Sequence, residues 1–523
     1  MQEQGIAVPR SAQEWLETVA ESNRAPVLPK AKQPGREILA ELERRGALIR
    51  LPGDVVVVKR PQDREDEALR RVYWPIVEAI LANYQPSVVE RDSAVRLLVG
   101  NETPPPVLRI RNGRNASNFE IQLAEDLTIV VASGAVEAAT THVQEVVDAS
   151  ITMDDAAHVL LGLELRFLRE NLTIVSIWLR SLILSRASME AAYRKRPRPV
   201  VLRRLAHIAE DAGNPALAAV LANVVRLNQD VRIGRGQTGV GRELIVPPRV
   251  RDFPTTRRPW LDRLTVQIEG FAEQIAALYA ELAVEPPTLA VEELLERAKR
   301  AKSYDVYHST SIEGYRIRYE DVSVLLGGTP VPSGLTEEEV RTRMAVLGYS
   351  TAFDRLVERI DRERQRLPIN TSLILDLYSD LFRPSVEAGI VDAGALRGWR
   401  NAPVFIRNTR YVPPAADRVS EMMHTFIEHL ANVDMTVVKA VLAHLMLVTI
   451  HPFPDGNGRV ARLLMNAVLV GNGWPWLTIR EQDRRQYFET LRAAQLDGDA
   501  RPFGKFIIEQ EGELIRTMRV GTA

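Results

Sequence analysis

The sequence predicts a multidomain chain, α/β plus all-α. A mixed α/β N-terminal half opens with a winged-helix-like unit, and an all-α C-terminal bundle carries one β-hairpin. Three observations point there. Strand-like alternation is concentrated in the early part of the chain. A stretch rich in Gly, Arg and Pro, residues 229–259, reads as a linker, with Gly234-Arg235-Gly236, Gly239-Val240-Gly241 and Pro247-Pro248. Beyond it, apolar residues recur mainly at helical spacing. At 523 residues the chain is too long for one ordinary core, and about two to four domains are expected.

Composition narrows the class. With 46% hydrophobic and 26% charged residues, global disorder is excluded. A net charge of −1 gives no long-range field toward nucleic acid or membrane, so such a partner would have to be met by a local patch. The absence of cysteine excludes disulfides, thiolate metal sites and a cysteine nucleophile. Residues 1–10 lack the apolar core of a signal peptide, and runs such as 442–450 are too short to span a bilayer. The expectation is a cytoplasmic protein with no membrane partner.

Taken in order, residues 1–65 form the first module. Ser11 with Glu14 is a capping box opening a helix through Trp15, Leu16 and Val19. Ile38, Leu39, Leu42 and Leu48 repeat at helical spacing, and Gly46 stops that helix. Residues 48–51 and 55–58, around Pro52-Gly53-Asp54, read as a β-hairpin. Residues 66–228 read as mixed α/β and then helical: a helix over 72–84, strands over 107–110, 119–123 and 127–131, and helices throughout 140–226. Arg194, Lys195, Arg196, Arg198, Arg203 and Arg204 make a basic run there. It reads first as a solvated face and second as a patch for nucleic acid or acidic protein. Residues 260–523 form the helical half. Within it, alternating apolar residues around the turn at 406–409 predict a hairpin over 400–412.

The chemistry concentrates in His451-Pro452-Phe453-Pro454-Asp455-Gly456-Asn457-Gly458-Arg459-Val460-Ala461-Arg462, between two apolar helical runs. Glycines flanking an asparagine at a helix start present backbone N–H groups to an anion. Arg459 and Arg462, three apart, share a helix face and can clamp phosphate oxygens. Asp455 is a hard oxygen ligand suited to Mg²⁺ beside phosphates. His451 can take a proton near neutral pH. Base, metal ligand, anion cradle and paired arginines describe a phosphoryl- or nucleotidyl-transfer site.

This stretch resembles, position for position, the Fic (Fido) family signature His-x-Phe-x-(Asp/Glu)-Gly-Asn-Gly-Arg-x-x-Arg. The resemblance implies an adenylyltransferase moving AMP from ATP to a protein hydroxyl of Ser, Thr or Tyr. His451 would be the catalytic base and Asp455 the Mg²⁺ ligand. Gly456, Asn457, Gly458, Arg459 and Arg462 would bind the phosphates, and Phe453 would pin the loop. Upstream, Ser309-Thr310-Ser311-Ile312-Glu313-Gly314, in a helix over about 291–316, resembles the family's inhibitory motif, with Ser309, Glu313 and Gly314 at its fixed positions. That implies an autoinhibited enzyme in which Glu313 takes Arg462 from the γ-phosphate through a bidentate pair. The hairpin at 400–412 resembles the family's flap, which offers an edge strand to the target protein and covers the nucleotide with Ile406, Arg407 and Asn408. Tyr487 or Phe488 would line the adenine, or simply pack.

The first module resembles the winged helix of AbiEi-type antitoxin regulators, which implies DNA as an alternative partner. Arg44, Arg45 and Arg50 are however balanced by Glu37, Glu41 and Glu43. The competing readings are a DNA-binding regulator whose C-terminal half senses nucleotide, and an enzyme of this fold with another donor or with AMP-removing activity. A homodimer is left open.

Overall fold

The computed structural model describes residues 9–22, 25–113, 118–137, 140–230, 258–287, 289–327, 334–363 and 367–520. Most of the expected linker, 231–257, lies outside the described residues. Two compact units emerge: Met1–Arg263 with Phe405–Val412, and Leu264–Val404 with Pro413–Ala523.

In the first unit, Ser11 Oγ accepts the Glu14 N–H at 3.2 Å and so starts α1 (Ala12–Ser22). The return half of the capping box differs, because the Glu14 carboxylate accepts the Arg10 N–H at 2.6 Å. Helix α2 (Arg36–Arg44) ends before Gly46, whose φ of +66° suits glycine. Strands β1 (Val27–Pro29), β2 (Leu48–Leu51) and β3 (Val55–Val58) form an antiparallel sheet in the order β1-β3-β2. Trp15, Val19, Leu39, Leu42, Val56 and Val58 close its core. Both helices and the hairpin match the sequence reading; β1, three residues ending in proline, carries no alternation to find. Arg44 and Arg45 pair with Glu41, and Arg50 with Glu43, so this positive charge is met within the unit.

Next come α3 (Glu65–Arg71), α4 (Tyr73–Asn83) and α5 (Arg91–Leu98) around a six-stranded sheet. Its strands are β4 (Ser87–Val89), β5 (Val107–Asn112), β6 (Phe119–Ala124), β7 (Leu127–Ser133), β8 (Thr141–Val146) and β9 (Ala149–Asp154). The order is β6-β7-β5-β4-β9-β8, with β5–β7 and β4–β9 parallel. Strands β8 and β9 correct the expectation of helix throughout 140–226. Ala149, Ile151 and Met153 are buried while Ser150 and Thr152 between them are less so, a period of two. Their tight turn hides in the sequence because Val147, not glycine, takes the positive φ of 55°. Six helices follow: α6 (Ala156–Gly162), α7 (Leu165–Glu170), α8 (Leu172–Ser181), α9 (Arg186–Lys195), α10 (Pro199–Asp211) and α11 (Pro215–Asp230). In the basic run Arg194 pairs with Glu190 and Lys195 with Glu137.

Phe405–Val412 groups with this unit and corrects the expected β-hairpin flap, since residues 400–414 contain no strand. The donors that a ladder would need are used elsewhere. The Tyr411 N–H donates to Thr409 Oγ1 at 3.1 Å and the Val412 N–H to Thr103 Oγ1 at 3.3 Å. Pro403, Pro413 and Pro414 have none to give. Arg410 Nη1 donates to Pro104 O at 2.9 Å. Arg407 and Asn408 are exposed, Ile406 is half-buried, and Asn408 turns the chain at φ +58°.

The second unit is helical: α12 (Pro259–Leu282, its first turn in the first unit), α13 (Val291–Ile312), α14 (Tyr319–Leu326), α15 (Glu337–Glu363), α16 (Thr371–Glu387), α17 (Val419–Ala431), α18 (Thr436–Ile450), α19 (Asn457–Gly471), α20 (Arg484–Arg492) and α21 (Arg501–Val520). Helix α18 is apolar on nearly every side, α19 is buried along almost its whole length although it carries Asn457, Arg459, Arg462 and Asn466, and the two form the centre. Helices α15 and α16 approach so closely that a Cβ on Gly348 would lie 1.9 Å from Leu381 O. Backbone cannot yield there as a side-chain tip could. Gly348→Ala is therefore expected to destabilise by about 1–3 kcal/mol, read as a lower urea midpoint. Among the described residues, no helix is long and apolar enough to cross a membrane.

Candidate active site

Helix α18 ends where His451 enters the left-handed region, φ +54° and ψ +59°, while its N–H still donates to Leu447 O at 2.8 Å. That conformation costs a non-glycine residue about 1–2 kcal/mol, so neighbours must hold it. Arg400 does so: its Nε donates to His451 O at 2.8 Å. The ring is fixed as well, with Nδ1 3.2 Å from Val448 O. A carbonyl can only accept, so Nδ1 carries the hydrogen and Nε2 keeps its lone pair. Burial pushes the imidazole down to about 4; the Val448 bond opposes this and the Arg400 charge adds to it. At neutral pH the ring is in its basic form.

This depression has a sign in stability. The unfolded chain protonates His451 near its ordinary 6.5 and the folded chain only near 4. The folded state is therefore undisturbed above pH 6.5 and loses ground as pH falls from there to about 4. The 2.5-unit gap (6.5 − 4) corresponds to a loss of up to about 3 kcal/mol. Denaturant midpoints at pH 7 and pH 4.5 should drop more for the wild type than for His451→Ala.

The loop after His451 is braced from inside. Phe453 is fully buried and stacks on Tyr378, centroids 3.9 Å apart and planes 8° apart, with Trp399 at 5.5 Å. Asn457 makes a closed pair with one backbone unit: its Nδ2 donates to Phe453 O at 2.8 Å and its Oδ1 accepts the Phe453 N–H at 3.0 Å. The Asn457 side chain thus shapes the loop, leaving its backbone N–H for an anion. Gly456 caps α19 at φ +80°, and a Cβ there would meet Leu381 Cδ2 at 2.8 Å. The first N–H groups of α19 consequently face the loop without helical partners.

Asp455 stands beside them with its side chain 66% exposed. Its Oδ1 accepts the Gly456 N–H at 2.7 Å and its Oδ2 the Arg459 Nη2 at 3.2 Å. No cluster of three metal-ligating side chains exists among the described residues. One exposed carboxylate fits Mg²⁺ that takes its other oxygens from phosphates and water.

Arg459 and Arg462 are 1% and 2% exposed. The Arg459 guanidinium lies over Tyr315 at 5.2 Å and Phe382 at 5.5 Å. Arg462 is held by the end of α13. Its Nε donates to Ser309 Oγ at 3.0 Å, and its Nη2 to Ser309 O and to Glu313 Oε1, each at 2.8 Å. Its Nη1 reaches the Tyr487 hydroxyl at 3.4 Å, which meets His444 Nε2 at 3.0 Å. Burial works against the Arg462 charge, but Glu313 together with Tyr487 and Tyr349 outweighs it and the guanidinium is held above its usual range. The Glu313–Arg462 contact runs through one carboxylate oxygen, correcting the expected bidentate fork. Glu313 Oε1 lies 2.4 Å from where a Cβ on Gly458 would stand, so the carboxylate sits against the start of α19.

Helix α13 ends at this carboxylate for a local reason. Gly314 takes φ +95°, its N–H donates to Ser311 O, and the Tyr315 N–H to Thr310 O, a Schellman motif. Arg484 Nε donates to Ile312 O at 2.7 Å. Buried Asp305 accepts from Tyr349 at 3.0 Å and Thr478 at 2.7 Å.

The second unit thus brings together His451, Asp455, Gly456, Asn457, Gly458, Arg459, Arg462, Ser309, Glu313 and Gly314, whereas Ile406, Arg407 and Asn408 group with the first. Tyr487 is 1% exposed among Phe503, Phe506 and His444, a packing position, while Phe488 is half-buried beneath the Arg484 guanidinium at 4.9 Å. Sequence reading missed Arg400, Tyr315 and His444. Each acts through a long-range contact, and no local spacing marks it.

Residues 368–469 match the Fic/DOC family, and the C-terminal region carries a Fic/DOC domain. A Protein adenylyltransferase Fic from Nematostella vectensis is 34% identical over 221 residues, 40% of this chain and 47% of its own. Another from Drosophila mojavensis is 34% identical over 226 residues, 41% of each chain. Among solved structures, residues 134–508 of Fic-1 from C. elegans are 18% identical, covering 68% of this chain and 93% of that one at a TM-score of 0.38. The chain spans less than half the length of the curated relatives it matches.

Proposed function

We propose that the second unit is an autoinhibited protein adenylyltransferase that moves AMP from ATP to a hydroxyl side chain of a protein, itself included. The observation that carries this is His451 with its Nε2 lone pair free, one short loop away from an anion cradle and two buried arginines. In the reaction, a hydroxyl oxygen attacks the α-phosphorus in line, the bond to the β-phosphate oxygen breaks, and pyrophosphate leaves. His451 Nε2 takes the hydroxyl proton. The N–H groups at the start of α19 hold the phosphates, and Arg459 and Arg462 carry the β- and γ-phosphate charge. Asp455 would hold Mg²⁺ against the phosphate oxygens, where the ion supplies charge neutralisation. Phe488, the partly open aromatic ring, is the better of the two candidates for the adenine face.

Glu313 is the brake in this reading. While it occupies Arg462, the γ-phosphate loses its anchor and the α-phosphate is not presented in line. Relatives named protein adenylyltransferase support the choice of ATP over other donors. Intact mass of the Glu313→Gly chain after incubation with each of the four nucleoside triphosphates and Mg²⁺ tests it: the gain of one AMP, from ATP alone, is the expected result. A gain of UMP, or of a bare phosphate, would replace the donor assignment.

A further inference from the structure

Arg400 is 5% exposed and lies just before the 401–414 segment. Its guanidinium meets three backbone carbonyls from three places. Nε donates to His451 O at 2.8 Å, Nη1 to Ala402 O at 3.1 Å, and Nη2 to Pro414 O. Its own N–H donates to Pro452 O at 2.8 Å. Ala402 and Pro414 are the two roots from which the 405–412 segment leaves and returns. One planar fork therefore ties both roots to the residue whose imidazole is the candidate base.

The tie falls where the backbone needs it. His451 is one of five non-glycine residues with positive φ among those described, and its carbonyl is turned out of the α18 ladder by that conformation. A donor on that carbonyl fixes the peptide plane, and the plane fixes where the ring stands over Val448 O. We propose that Arg400 is a positioning residue: its fork locks the left-handed His451 and the roots of the 401–414 segment into one rigid element, so that Nε2 meets the target hydroxyl in line with the α-phosphate. The inference rests on the adenylyltransferase reading for its kinetic part and on the hydrogen bonds alone for its structural part. The nearby guanidinium charge also works with burial to keep the ring neutral, against Glu313 and Asp455. Lysine could not substitute, because a single ammonium cannot span three carbonyls that a planar fork reaches together.

The test uses the full chain carrying Glu313→Gly, alone and with Arg400→Lys or Arg400→Gln. Three quantities are read: the initial rate of self-labelling by ATP, the affinity for ATP, and backbone hydrogen exchange. A misplacement of about 1 Å can lower a rate on the order of 10²-fold, and a loss of that order is expected in both variants with ATP affinity unchanged. Amides of 401–414 and 451–456 should exchange faster together, while those inside α18 and α19 stay protected. Labelling by Arg400→Lys at the parent rate would overturn the proposal, as would a parallel loss of ATP affinity or unfolding of both variants, since Arg400 would then serve the fold at large. Should the Glu313→Gly parent itself fail to label, the function reading fails instead, and the exchange result still decides whether the fork couples the two segments.

Discussion

Replacing Glu313 with glycine is expected to raise self-labelling by ATP about tenfold to a hundredfold. The range follows from the contact removed. One charge-assisted hydrogen bond in a partly buried setting, Arg462 Nη2 to Glu313 Oε1 at 2.8 Å, contributes about 1.5–3 kcal/mol. Each 1.4 kcal/mol is about tenfold in the population of free Arg462. Glycine also removes the carboxylate that lies against Gly458 at the start of α19. The arginine does not swing loose, because Ser309 Oγ, Ser309 O and the Tyr487 hydroxyl still hold it. It stays aimed and becomes available. ATP should therefore raise the melting temperature of Glu313→Gly more than that of the wild type, since ligand stabilisation follows affinity. Equal labelling and equal thermal shifts in the two proteins would remove Glu313 from any inhibitory role.

His451→Ala, made in the Glu313→Gly background, is expected to lower labelling by about 10²–10⁴-fold, the usual contribution of a positioned general base. ATP affinity should hold, because in the proposed binding mode the phosphate groups are met by α19 and the two arginines rather than by the imidazole. Such a split between rate and binding is the signature to look for. A variant that labels at the parent rate would move the base elsewhere, and one that loses ATP affinity equally would make His451 a structural residue. In the parent, the ring's depressed titration predicts a rate flat across neutral pH, with the His451 limb falling only well below it, and loss of the Glu313 charge, which favours the protonated ring, moves that limb lower still.

The side chains that meet at the candidate site were more legible in the sequence than the architecture around them. Twelve consecutive residues, 451–462, hold the candidate base, the carboxylate and both arginines, because a loop entering a helix gathers its side chains locally. Ser309, Glu313 and Gly314 were legible for the same reason: they occupy one helix terminus whose glycine must take a positive φ. The failures are long-range. The 405–412 segment alternates like a hairpin, yet its Val412 N–H goes to Thr103, more than three hundred residues away. Strands β8 and β9 were lost because their turn uses Val147 rather than glycine. The fork of Arg400 and the His444–Tyr487 support beneath Arg462 depend on partners that only folding brings near.

The Schellman ending of α13 bears on how quickly this protein could be switched. Glu313 sits at the cap itself, just where the spiral stops, with its side chain 27% exposed. Vacating Arg462 therefore asks for rotation about a few side-chain bonds while α13, Asp305 and Arg484 stay put. Rotamer hops of partly exposed side chains take picoseconds to nanoseconds. In the braking role proposed for Glu313, a throttle of that kind would idle instead of shutting off: a minor share of molecules would be open, and an activator would have only to favour that share, without melting a helix.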